Sequence, residues 1–150
     1  MELFGAFGIY KVDVFFELEM TIPYVQAMVL AAVSDGEIQK EELTVIHSYL
    51  NNLPALEQLS DGEFSAAVAD TYNKVSAGMK VEHIVEHIGE NLDAEQRNVA
   101  YALAVEICHA NFSYVPSEKD YIYVLEETWK ISPDVIDMVK GSCKLRYGIE

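Results

Sequence analysis

The stretch that decides the fold is "AMVLAAVSDGEIQKEELTVIHSYL", residues 27–50. A near-continuous apolar run from Ile22 to Val33 stops at Asp35-Gly36, and Asp35, Glu37, Glu41 and Glu42 then crowd into the turn and the start of the next segment. Beyond them Leu43, Ile46 and Leu50 recur at helical spacing. The stretch therefore predicts two helices joined by an acidic elbow. Gly36 suits the left-handed conformation that ends a helix, and Glu41 and Glu42 suit the first turn of the next one, where the helix dipole favours acids.

The same pattern continues along the chain. Start signals precede most of the apolar-periodic segments: Thr21 before Ile22-Pro23, a Ser60/Glu63 capping box, the same arrangement at Asp93/Gln96, Ser117 before Glu118, and Ser132 before Pro133. The stripes between them are Phe64, Ala67, Val68, Tyr72 and Val75; Val81, Ile84, Val85 and Ile88; Val99, Leu103, Ile107 and Ala110; Tyr121, Val124, Leu125 and Thr128; and Val135, Ile136, Val139 and Cys143. Residues 22–34 and 95–110 are apolar nearly all round, the mark of central helices. Residues 1–20 fit either a strand or a helix; a helix is preferred, because a lone strand lacks a partner. One all-α domain over 1–150, a bundle of about seven helices, is the expected architecture.

The elbow has a second copy. Residues 102–126, "ALAVEICHANFSYVPSEKDYIYVLE", also run from an Ala-rich helix through a polar turn with an isolated aliphatic, Val115 in place of Ile38, into an N-capped amphipathic helix. This is an internal duplicated helix-turn-helix hairpin. Within this duplicated frame, "AAVSDGEIQKEELTVIHSYL" resembles the Ala-Asp-Gly-x-Ile-x-x-x-Glu signature of the tellurite-resistance TerB-like family, which includes the N-terminal domain of the membrane-anchored DnaJ-like co-chaperone. The resemblance is strongest over 21–132 and rests on Asp35, Gly36, Ile38 and Glu42. It implies an all-α fold of about seven helices, no established enzymatic activity, and a link to stress and metal resistance through surface acids. The second copy departs from the signature: it has "NFSY" for Asp-Gly and Lys119 for the glutamate, while Ser34 replaces the usual alanine in the first. Only the first elbow keeps the acids.

The chain has 150 residues, 10 of them basic and 25 acidic, and a net charge of −15. That field opposes nucleic acid and anionic membrane, which are bound largely through Lys and Arg. No nucleic-acid partner and no direct membrane insertion are expected, since no apolar run reaches the length of a span. Cys108 and Cys143, the only cysteines, lie in apolar helical patterns and read as buried free thiols. The expected setting is cytoplasmic.

Two ligand sets stand out. Asp35, Glu37 and Glu42 form one, with a divalent cation as the only cofactor candidate. A hard cation takes about six to eight oxygens, and this turn has a single Asp before its Gly, so backbone carbonyls would have to complete it. "HIVEH", residues 83–87, is the other. It matches a zinc-peptidase string, with His83 and His87 at i, i+4 and Glu90 beyond them. Ile84 and Val85 commit the opposite face to the core, so a solvated face with adventitious metal binding is the reading, and no catalytic residue is expected. His47 and His109 sit where a helix C-terminus favours a charged imidazole. Some of Tyr101, Tyr121 and Trp129 belong to the core, and Tyr114 and Tyr123 read as exposed, marking a protein-partner or homodimer surface. The function expected is association: a non-enzymatic interaction, scaffold or sensing module in stress or tellurite resistance, with metal binding by the acidic turn as the alternative.

Overall fold

The computed structural model describes residues 22–33, 44, 46–48, 52, 59–109 and 116–148. All the regular structure among them is helical, as expected. The helices are α1 (22–32), α2 (Asp61–Ser76), α3 (Val81–Glu90), α4 (Ala94–His109), α5 (Pro116–Thr128) and α6 (Pro133–Tyr147). Helical residues at 44, 46–48 and 52 mark a further helix between α1 and α2. No helix among the described residues is long and apolar enough to cross a membrane. Both elbows, with Ile38 and Val115, lie outside the described residues, as do residues 1–20.

The start signals work as the sequence predicts. Ser60 Oγ accepts from the Glu63 amide while Glu63 accepts from the Ser60 amide. Asp93 and Gln96 make the same reciprocal pair, and Ser132 caps α6 with Pro133 in its first turn. One boundary moves: α5 starts at Pro116, ahead of the Ser117 cap expected. Proline suits a first turn because the amide it lacks has no helical acceptor there.

The core is built around α1 and the second half of α4. Val25, Ala27, Met28, Val29 and Ala31 are sealed from solvent, as are Ala100, Tyr101, Ala104, Val105, Ile107 and Cys108. Two stripes turn differently from expectation. Thr71, not Tyr72, completes the buried side of α2, and Val99 is exposed at 41%. In both cases the neighbouring helices, not the residue's own hydrophobicity, set which sector of the cylinder is covered.

Helix α5 ties the bundle together. Tyr121 Oη donates to the Ala27 carbonyl of α1 at 2.7 Å, across 94 residues of sequence. Just past its end, the Trp129 indole N–H donates to the Val85 carbonyl of α3 at 3.0 Å. The indole lies so close over Gly89 that an added Cβ would stand 2.5 Å from Nε1. Arg97 of α4 closes the same end of α3, donating from Nε and Nη2 to the Gly89 carbonyl. Glu126 accepts from Tyr101 of α4 at 2.6 Å and pairs with Lys140 of α6 at 2.8 Å. Contacts between α4 and α6 step along both together, from Glu126 bridging 101 and 140, through 106 with 146, to 109 with 147. The two helices therefore run in the same direction, packed directly on each other, and α5 packs on α4 and α3.

Candidate functional site

Asp35, Glu37 and Glu42 lie outside the described residues. His83 and His87 are described, on the outward face of α3. The helix explains the placement. Ile84, Val85, Ile88 and Gly89 are buried, which turns His83, Glu86, His87 and Glu90 to solvent. His87 Nδ1 is 3.4 Å from Glu90 Oε1, and both side chains are more than two-thirds exposed. Glu90 does not join the two imidazoles as a third ligand: no group of three or more His, Cys, Asp or Glu side chains among the described residues is placed to hold a metal ion. What remains is a pair of imidazoles one turn apart, open to water.

Among the described residues the densest convergence of titratable groups is elsewhere, between α4 and the last turns of α6. Glu106 is its centre. Arg146 grips both carboxylate oxygens, from Nη1 at 2.9 Å and Nη2 at 2.6 Å. Tyr147 donates its hydroxyl to the same carboxylate, and the Cys143 thiol is 3.8 Å from it. The Arg146 guanidinium also stands 5.7 Å from the Tyr147 ring centre. The same ring stacks on the buried His109 imidazole. His109 is thus a core histidine. Its Nδ1 lies 2.9 Å from the Val105 carbonyl, so that nitrogen carries a hydrogen and donates it.

The electrostatics follow from these contacts. Burial alone would raise the Glu106 carboxyl, but the hydrogen bonds from Arg146 and Tyr147 and the guanidinium charge outweigh it and hold the carboxyl below its usual range. The acid is therefore ionised at neutral pH. Burial and the Glu106 charge push the Cys143 thiol up to about 11, and burial with the Glu106 hydrogen bond pushes the Tyr147 phenol up to about 12. Both keep their protons, so neither is a nucleophile. The cluster is a clamp: a buried acid satisfied by a bidentate arginine and a phenol, holding α6 on α4.

Sequence reading passed over Glu106, although a signal exists. It is the one acid within "AYALAVEICH", and an acid in a buried helix needs a partner. The chain has two arginines. Both are spent inside the fold, Arg97 on a helix end and Arg146 on this acid.

Comparison with protein-family models, with curated proteins and with solved structures returns no match.

Proposed function

We propose that this chain is a non-enzymatic helical domain that acts by association. The observation that carries the reading is the saturation of the Glu106 cluster. The one convergence of acid, thiol, phenol and imidazole in the described fold has its carboxylate fully engaged and its thiol and phenol protonated. Such a set secures helices and leaves no poised base or nucleophile. What is offered outward is surface: a strongly acidic exterior with Tyr123 61% exposed on α5.

The resemblance of "SDGEIQKEE" to the TerB-like signature supports placing this activity in stress or tellurite resistance, as a scaffold or sensor in the cytoplasm. In the alternative reading, Asp35, Glu37 and Glu42 bind a divalent cation. Calorimetry with Ca²⁺, Mg²⁺, Zn²⁺ and Ni²⁺ on wild type and Asp35→Ala separates the two. Association alone leaves no binding tighter than about 1 mM, weaker than ordinary sensor sites. A tighter site lost in Asp35→Ala replaces the reading with metal binding. A tighter site that survives Asp35→Ala and disappears in His83→Ala belongs to the α3 histidines.

A further inference from the structure

Helix α6 has two unlike sides. Cys143 is buried, and Ile136, Val139 and Tyr147 are packed against the core. The opposite side carries Asp134, Met138, Gly141, Ser142 and Leu145, whose spacing places them on one face. Met138 is 66% exposed and Leu145 86% exposed. Gly141, between them, is helical and open: an added Cβ would meet nothing within 4 Å. Glycine is among the least favourable residues in a helix interior. At Gly89 the Trp129 indole demands it; at Gly141 nothing among the described residues does.

We propose that two copies of this chain pair through α6, antiparallel, about a two-fold axis passing beside Gly141 and Ser142. The midpoint of positions 138 and 145 falls between these two residues. A half-turn about that point sets Met138 of each copy against Leu145 of the other and brings the helices closest where Gly141 has no side chain. The same rotation matches the charges. Asp137 and Lys144, both exposed, lie on one flank of the stripe, and their midpoint is one residue from the first. Each aspartate therefore meets the other copy's lysine, and every contact occurs twice, as a self-complementary interface requires. A parallel two-fold pairing would set this flank against the partner's opposite flank, so the Asp137–Lys144 pairs would not form. The contact is one helix face on a chain of charge −15, so it gives a concentration-dependent dimer and not an obligate one. This goes beyond the association reading above, since it holds whether or not another protein binds.

The test is sedimentation equilibrium of the full chain from about 10 µM to about 1 mM, the range in which small interfaces dissociate. Wild type is expected to rise from 16.8 kDa toward twice that mass. Leu145→Glu is expected to stay at the lower mass with an unchanged helical circular dichroism spectrum. Asp137→Lys lowers the overall repulsion yet should weaken pairing about fivefold or more, because two like-charge contacts replace two attractive ones. The double swap Asp137→Lys/Lys144→Asp restores the pairs at unchanged net charge and should recover wild-type association. Ser142→Cys should cross-link to itself on oxidation, while Cys108 and Cys143 stay buried. A monomer throughout the range overturns the proposal. So does a dimer that survives Leu145→Glu, or one that Asp137→Lys leaves intact.

Discussion

Two glycines in equally ordinary helical conformation should respond to the same substitution with opposite sign. In Gly89→Ala the new methyl falls 2.5 Å from Trp129 Nε1 and 2.8 Å from Cδ1, closer than any carbon contact tolerates. The indole must move, and it is buried with its N–H on the Val85 carbonyl at 3.0 Å. Forcing a methyl into a filled core costs about 1–3 kcal/mol, and loosening that hydrogen bond adds about 1 kcal/mol. Alanine returns at most about 1 kcal/mol of helix propensity. The net is a loss of about 1–3 kcal/mol. For a chain of this size that lowers Tm by roughly 2–12 °C. Gly141→Ala, with open space at its Cβ, should instead gain about 0.5–1 kcal/mol in dilute solution. Urea unfolding followed by the emission of Trp129, the single tryptophan, measures both, and the emission itself should shift in Gly89→Ala. If Gly89→Ala matches or exceeds wild-type stability with unchanged emission, the close approach of α5 to α3 is wrong.

The Glu106 clamp predicts a pH signature. Its folded carboxyl titrates below the unfolded one, so its contribution is complete above the ordinary carboxylate range and is lost as pH falls through the depressed value. Glu106→Gln should be less stable by about 1–3 kcal/mol at neutral pH, with the two stability curves converging on acidification; parallel curves would refute the clamp. The thiols give a simpler check. With both cysteines buried and Cys143 raised to about 11, a thiol reagent at pH 8 should leave both unmodified in the native protein and label both in denaturant. Rapid labelling of the native chain would contradict that environment.

What was legible in the sequence was local. Capping at Ser60, Asp93 and Ser132 needs only residues three apart, and each forms as read. Helical periodicity located α3 well enough to turn His83 and His87 outward. It failed at Tyr72 and Val99, hydrophobic residues at nearly the right phase. Which sector a helix buries depends on the neighbours that cover it, and a shift of one residue rotates the face by about 100°. The aromatics divide for the same reason: Tyr101, Tyr121 and Trp129 are core while Tyr123 is exposed.

By itself, then, the sequence determined the helical character of the described residues, the caps that start α2, α4 and α6, the acidic character of the chain and the outward histidines of α3, because these rest on interactions within a turn or two. The tertiary structure alone decided the pairings over long separations: Tyr121 with Ala27, Trp129 with Gly89, Arg146 with Glu106. Hydrogen bonds across 25 to 94 residues leave no periodicity behind. A buried carboxylate announces that it needs a partner, but only the packing of α6 along α4 says which one it finds.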